Sequence, residues 1–139
     1  MTTVRVPPTG SVEEPVSLEE AKRHCRVDYD DEDELIEALI SAAREHCEVV
    51  TRLTLAPATW ETRLVTFPAG PIALPHPPLL EVEGVRYVDA GGAEVGLDAD
   101  AYTVDTLATP GTVAPVGHWP PGHDVRVRYR AGYEDGQIP

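Results

Sequence analysis

The chain has 139 residues and carries a formal net charge of −13, from 24 acidic and 11 basic side chains. This length suits one domain over residues 1–139 that buries a core without help from a metal or disulfides. The negative surface argues against sequence-reading nucleic-acid binding, because it repels phosphate. Two cysteines are too few for a secreted disulfide scaffold. No apolar run approaches the roughly 20 residues of a membrane helix, so we expect a soluble protein without a membrane partner.

The distribution of proline divides the chain into two parts. Residues 16–56 contain no proline, whereas ten prolines fall between Pro57 and Pro121. Proline breaks helix interiors, so the pattern predicts a helical part over 16–54 and a part built of strands and turns over 57–133. Helices followed by strands, without alternation of the two, predict an α+β fold with a mostly antiparallel β part.

Two helices are predicted in the first part, one short and one long. Ser17 and Glu20 form a capping box at the start of the short helix, which should end near Arg26. The long helix is predicted from about Asp31 to Arg52, because apolar residues recur there at helical spacing. These are Leu35, Ile36, Leu39, Ile40, Ala43, Cys47 and Val50.

The apolar stripe of the long helix and the face of the short helix that carries Cys25 are expected to form a helix–helix core. Cys25 and Cys47 both lie on these faces, so the sequence predicts two buried thiols rather than zinc ligands, despite the adjacent His24 and His46. The opposite face of the long helix carries acidic side chains, which include Glu34, Glu37, Glu45 and Glu48.

The second part of the chain contains five predicted strands. Val125, Val127 and Tyr129 alternate with three arginines, the clearest two-residue period in the chain. Asp89–Gly92 is typical of a hairpin turn. The residues between Pro71 and Pro78, and between Gly111 and Gly122, are predicted to be ordered loops. The predicted strands cover 59–67, 82–88, 93–97, 102–104 and 125–130.

Catalytic chemistry finds little support in the residues. The chain contains no nucleophile-elbow, zinc-protease or P-loop motif. His76, His118 and His123 lie in loops rich in proline and glycine, without a neighbouring nucleophile in sequence, and they leave a small hydrolase as a distant alternative. We therefore expect no enzymatic activity and no cofactor.

Two charged surfaces remain, the acidic face of the long helix and the arginine face of the last strand. Either surface can be a merely solvated face. Alternatively, an acidic face on one subunit and a basic face on its neighbour favour head-to-tail, ring-forming association.

An ordered series of short sequence segments covers nearly the whole chain from residue 13. It resembles the head–tail connector (adaptor) family of long-tailed phages and gene transfer agents. The segments run from the opening helix and the acidic restart of the second helix to a closing strand and Ala131-Gly132-Tyr133. They are Glu14–Lys22, Asp30–Ile36, Thr51–Leu55, Thr59–Glu61, Phe67-Pro68, Leu74–Leu79, Val82–Asp89, Leu97-Asp98, Tyr102–Asp105, Trp119-Pro120 and Val127–Tyr133.

The resemblance implies a structural virion protein made in the bacterial host cytoplasm and located in the neck between head and tail. Such adaptors form a ring, usually a dodecamer, beneath the portal protein and join the DNA-filled capsid to a stopper or tail-completion protein. Double-stranded DNA passes through the ring without specific binding. The alternative within the same class is another neck or tail-completion protein, such as a stopper or tail terminator.

Site residues follow as expectations from this resemblance and from charge. A lumen lined with carboxylates repels phosphate and keeps DNA passage smooth, with Glu34, Glu37, Glu45 and Glu48 as candidate lining residues. Candidate subunit or portal contacts are Arg126, Arg128, Arg130, Tyr133 and Ile138. Family members usually continue into a C-terminal helical region that contributes to the portal contact, so the resemblance leaves the mode of portal attachment open.

Overall fold

Two helices are followed by two antiparallel sheets in the computed structural model, which describes residues 1–134 and 137–138. The helices are α1 (Leu18–Cys25) and α2 (Asp33–Thr51). The strands are β1 (Thr2–Arg5), β2 (Ala58–Thr66), β3 (Ile72–Ala73), β4 (Leu79–Val88), β5 (Glu94–Gly96), β6 (Tyr102–Asp105), β7 (Thr112–Pro115) and β8 (His123–Ala131). The predicted α+β class is confirmed. Within the described residues no helix is long and apolar enough to span a membrane.

The larger sheet has five strands in the order β1-β2-β8-β4-β5, and the smaller one has three in the order β3-β7-β6. All neighbouring strands are antiparallel. β8 therefore lies at the centre of the larger sheet, hydrogen-bonded to β2 on one side and β4 on the other. The predicted alternation of this strand is confirmed, since Val125, Val127 and Tyr129 are fully buried while the arginines between them point away from the core.

The core combines side chains of both sheets. Val127 and Tyr129 from the larger sheet belong to the same buried cluster as Ile72 and Val113 from the smaller one. The Tyr129 hydroxyl donates a 2.6 Å hydrogen bond to the Pro75 carbonyl. Burial raises the pKa of Tyr129 to about 12, so the phenol stays neutral and keeps its donor at physiological pH.

The capping box predicted for α1 is present. The Ser17 hydroxyl accepts a 3.1 Å hydrogen bond from the Glu20 amide, and the Glu20 carboxylate accepts one of 2.9 Å from the Ser17 amide. The Lys22 ammonium contacts Asp30 at 2.6 Å and Asp33 at 2.7 Å, which joins α1 to the start of α2. α1 has eight residues and α2 has nineteen. The shorter helix therefore covers only part of the longer one.

The packing of α2 is the reverse of the prediction. Its buried residues are Arg44 and Glu48, whereas Leu35, Leu39 and Val50 are 55%, 58% and 68% exposed. Cys25 and Cys47 are exposed as well. Of the predicted stripe only Ile36 and Ile40 are half-buried, so the predictions of a buried apolar stripe and of buried thiols are wrong for the chain on its own. The physical reason is that the polar face of α2 is held by ion pairs to other segments, while α1 is too short to cover the apolar face.

Three strands escaped the sequence prediction. β1 precedes two consecutive prolines, and β3 and β7 lie within the two segments predicted as loops. β3 has two residues and β7 has four, which is too short for a recognisable two-residue period. The place of β3 and β7 is set by the register of the smaller sheet, in which Ile72 faces Val113.

Candidate interaction surfaces

The helical part is attached to the β part through the carboxylate of Glu48. One oxygen accepts hydrogen bonds from the Arg44 and Arg5 guanidinium groups at 2.8 and 3.0 Å. The other accepts from the backbone amides of Leu55 and Ala56 at 2.8 and 3.3 Å. Glu48 therefore connects α2, β1 and the segment before β2. Both of its oxygens are engaged and its side chain is 8% exposed, so Glu48 does not suit the channel lining expected from the sequence.

Arg44 extends this network to the N-terminal segment. Its Nε donates to the Glu14 carboxylate at 2.7 Å, and its Nη2 donates to the other Glu14 oxygen at 3.3 Å. Its side chain is only 4% exposed. A buried guanidinium requires such partners, because an isolated charge is costly away from water. The i,i+4 spacing of Arg44 and Glu48 is visible in the sequence, but nothing in it points to Arg5 or Glu14.

Beside this network, three side chains of the β part form a stack. The Trp60 ring lies parallel to the His76 ring, with centroids 4.0 Å apart, and the Arg5 guanidinium lies 5.6 Å from the Trp60 centroid. The Trp60 indole donates to the Thr54 hydroxyl, which in turn donates to the His76 carbonyl at 2.8 Å. Burial lowers the pKa of His76, and the nearby Arg52 and Arg5 act in the same direction.

The lowered pKa of His76 predicts a loss of stability in mild acid. The unfolded chain binds a proton at this histidine near its ordinary value of about 6.5, before the folded chain does. Stability is therefore fully present above that pH and falls as the pH decreases toward the folded-state pKa. We expect His76→Phe, which keeps an aromatic ring against Trp60, to flatten this decline between about pH 7.5 and 5.5 in urea unfolding. His118→Phe, at an exposed loop position, is the control and should retain the wild-type slope. An unchanged slope in His76→Phe would assign the titration to another group.

Of the lining candidates, Glu34, Glu37 and Glu45 are exposed on α2. Glu45 also approaches the Arg44 guanidinium at 3.6 Å, although its own side chain is 65% exposed. These three carboxylates are thus available to a channel, a neighbour or solvent.

The arginine face of β8 is paired within the chain. Arg126 contacts Glu94 at 3.4 Å and Asp124 at 3.5 Å. Arg128 lies 3.6 Å from Glu61, and Arg130 lies 3.0 Å from Glu81. The outer face of the larger sheet is therefore a surface of mixed charge, and the strongly basic patch expected from β8 alone is balanced by acids on β2, β4 and β5.

The five candidate contact residues lie along two grooves and the sheet face. Arg128 and Arg130 line a groove of about 500 Å³, together with the segment from Arg5 to Glu13. Tyr133 and Ile138 line a second groove of about 280 Å³ with Glu13, Glu14, Pro15, Leu55 and Pro57. Arg126 lines neither groove.

The exposed side of α2 forms a further surface, which we call the α2 apolar face. Successive helix residues are rotated by about 100°, and the members of this face fall within one continuous arc. They are Leu35, Leu39, Ala43, His46, Cys47 and Val50, all of them exposed. Adjacent exposed apolar side chains of this kind form a candidate interaction surface. Elsewhere in residues 1–134 and 137–138, no group of three or more His, Cys, Asp or Glu side chains is placed to hold a metal ion.

A sequence model of phage gp6-like head–tail connector proteins matches residues 15–85. The chain belongs to this family. The matched residues include both helices and run through β2 and β3 into β4, so they contain the Arg44–Glu48 pair and the α2 apolar face. Membership gives the chain a structural connector role in a phage-like virion.

Solved structures of virion necks share the fold of this connector. A chain in the neck of an empty gene transfer agent particle, computed with C6 symmetry, has a TM-score of 0.74 and 23% identity over 96% of this chain and 72% of that chain. A chain in the virion of a native gene transfer agent particle has a TM-score of 0.72 and 22% identity, with the same coverage. A chain in the neck of a native particle, computed with C12 symmetry, has a TM-score of 0.67, 22% identity and coverage of 96% and 70%. No curated protein sequence matches the chain.

Proposed function

We propose that this connector forms a ring beneath the portal protein, joins the DNA-filled capsid to a stopper or tail-completion protein, and lets DNA pass. The observation that carries the proposal is the match of residues 15–85 to the connector family. The shared fold with chains of necks computed with C6 and C12 symmetry supports a ring. The role needs shape and charge rather than a reaction, so we propose that the connector is not an enzyme.

The exposed carboxylates of α2 are the proposed lining of the DNA channel. Glu34, Glu37 and Glu45 are open to solvent, and Glu37 and Glu45 border the groove that also contains Glu14 and Arg44. Carboxylates repel DNA phosphates, so such a lining lowers the affinity of the ring for the passing duplex. Glu48 is left out of this proposal because its oxygens are bonded to Arg5, Arg44 and two backbone amides.

The portal and the stopper or tail-completion protein are proposed to contact the β part and its grooves. The outer sheet face around Arg126, Arg128 and Arg130 carries interleaved charges of both signs. Such patterns favour one partner orientation and disfavour others, because a shifted partner brings like charges together. Tyr133 and Ile138 line the second groove together with Leu55 and offer apolar contact area there.

Electron microscopy of the connector mixed with the portal protein of the same particle tests the proposed function. We expect ring density below the portal, with Glu34, Glu37 and Glu45 lining the central opening. The portal alone is the control. Density with the carboxylates on the outer surface and arginines inside would remove the lining proposal. A well-folded connector that adds no density to the portal would contradict the adaptor function and favour a stopper or tail terminator.

A further inference from the structure

We infer that the copies of the connector exchange their first strand in the ring, so that β1 of each copy pairs with β2 of the next. The inference rests on the proposed ring and names the element that joins its copies. β1 (Thr2–Arg5) lies at the edge of the larger sheet, and within the described part of the chain β2 is its one neighbouring strand. An edge strand at the start of the chain is exchanged without changing the order of the other four strands.

The contacts of β1 fall on a site that the rest of the chain builds. The hydroxyls of Thr3 and Thr62 are hydrogen-bonded at 2.8 Å, and the Arg5 guanidinium donates to the Glu48 carboxylate at 3.0 Å. β2 is also hydrogen-bonded to β8 on its other side, and Glu48 is also held by Arg44 and two backbone amides. The site therefore stays in place when β1 leaves, and the identical β1 of a second copy makes the same contacts there.

The segment that follows β1 is attached to the chain at its two ends. At one end the Val6 amide donates to the Thr59 carbonyl at 2.9 Å, and at the other the Glu14 carboxylate accepts from Arg44 at 2.7 Å. Residues 7–13, which we call the strap, form no hydrogen bond or ion pair with the described residues, and six of the seven are exposed. The strap borders grooves of about 500 and 550 Å³. It can therefore take another course without losing polar contacts.

The strap is long enough to carry β1 to an adjoining copy. Seven extended residues span roughly 23 Å. Pro7 and Pro8 keep its start extended, because proline fixes its own φ and disfavours a helical conformation in the residue before it. Glu14 stays bound to Arg44 of its own chain while β1 crosses. Since the closed and exchanged arrangements differ in the course of the strap and share their other contacts, exchange is a low-cost route to assembly.

Strand exchange supplies the two unlike surfaces that a ring requires. Each copy donates β1 to one neighbour and accepts β1 from the other at its β2 edge, so the contact is head-to-tail. Chains of the same fold lie in necks computed with C6 and C12 symmetry. A free copy stays closed, because its own β1 is present at an effective concentration of about 1 mM. On the portal, where copies stand side by side, the neighbour's β1 competes with it.

A disulfide between two different chains tests the exchange. Thr3 and Thr62 face each other across β1 and β2, a separation that suits a disulfide. One connector carries Thr3→Cys and a second carries Thr62→Cys, both with Cys25→Ser and Cys47→Ser because the native thiols are exposed. After assembly of an equimolar mixture on the portal and oxidation, we expect a disulfide-linked dimer at about one joint in four, since donors and acceptors meet at random. Non-reducing electrophoresis measures the dimer.

A second mixture controls for chance collision between chains. Arg63 and Arg126 face each other across β2 and β8, two strands that stay in one chain in either arrangement. Arg63→Cys mixed with Arg126→Cys, with the same serine substitutions, should therefore give no more linked dimer after assembly than before it. Circular dichroism checks that all four variants fold.

A connector locked in the closed arrangement provides a further test. The chain that carries Thr3→Cys and Thr62→Cys together is oxidised while dilute, so that the disulfide ties β1 to its own β2. We expect its ring occupancy on the portal, measured by electron microscopy, to decrease at least about tenfold. Reduction of the disulfide should restore the rings, which separates locking from misfolding. Wild-type occupancy of the locked connector would overturn the inference.

The outcomes also separate this inference from the proposed function. If rings form on the portal and the Thr3→Cys and Thr62→Cys mixture gives no more linked dimer than the control mixture, the exchange is wrong while the adaptor function stands. If the wild-type connector forms no ring with the portal, the adaptor function fails. The same cysteine mixture concentrated without the portal to about 3 mM, above the effective concentration of the chain's own β1, then decides the exchange. Linked dimer there supports it, and its absence overturns it.

Discussion

Glu48→Ala is expected to decrease the free energy of unfolding by roughly 3–5 kcal/mol, the usual cost of removing one partner from a buried ion pair. The change leaves the guanidinium of Arg44, 4% exposed, with Glu14 and Glu45 as its remaining acidic partners. It also removes the acceptor of the Leu55 and Ala56 amides, bonded at 2.8 and 3.3 Å. Since the free energy of unfolding of a domain of this size is only about 5–15 kcal/mol, the substitution removes a large share of it.

Urea unfolding followed by circular dichroism measures this effect, with Glu45→Ala as the matched control. Glu45 lies three residues away on the same helix, its side chain is 65% exposed, and its removal should change stability by less than about 0.5 kcal/mol. Glu48→Gln keeps the size of the side chain and one carbonyl acceptor and should lie between the two. Equal stability of Glu48→Ala and Glu45→Ala would mean that the network does not join the helical part to the β part.

Gly132→Ala is expected to destabilise the β part by roughly 2–4 kcal/mol, from backbone strain and overpacking together. Gly132 follows β8 with φ at +132°, a conformation that side chains with a Cβ rarely adopt. A Cβ there would lie 2.7 Å from the Cα of Pro57 and 2.8 Å from its nitrogen. Both atoms belong to the backbone that leads into β2, so neither can move aside as a flexible side chain would.

Thermal unfolding compares this change with Gly84→Ala, the matched control. Gly84 lies in β4 opposite Arg128, and no atom lies within 4 Å of a Cβ built on it. That substitution should be neutral or stabilise by up to about 1 kcal/mol, since alanine restricts the unfolded chain. If Gly132→Ala unfolds at the wild-type temperature, the close approach of Gly132 to Pro57 is not present in solution.

Local signals explain which parts of the fold could be predicted. The capping box at Ser17 and the alternation around Val127 each involve neighbouring residues, and both predictions are confirmed. The long helix was predicted within two residues of its observed ends. The three missed strands lack such signals, because β1 and β3 pair with segments far along the chain and β7 has only four residues.

The orientation of α2 shows a second limit of structure prediction from sequence patterns. Its apolar period predicted a helix correctly but did not show what covers the apolar side. Sequence reasoning assigned that side to the chain's own core, whereas the structure buries Arg44 and Glu48 and leaves Leu39 exposed. The network around Glu48 joins residues 5, 14, 44 and 48 with the amides of 55 and 56, and no local pattern links positions so far apart. Amphipathic period identifies a helix, but a homomeric interface and an internal core produce the same period.

The central position of β8 has a consequence for the order in which the connector folds. β2 and β4 are adjacent only through β8, which ends at Ala131. A ribosome therefore releases the helical pair and most strands before the larger sheet can close, and the unpaired edges of β2 and β4 remain open during that interval. Pairing over such sequence distances is slow compared with helix formation. Nascent or truncated chains that lack β8 are accordingly the species most exposed to aggregation and proteolysis in the host cell.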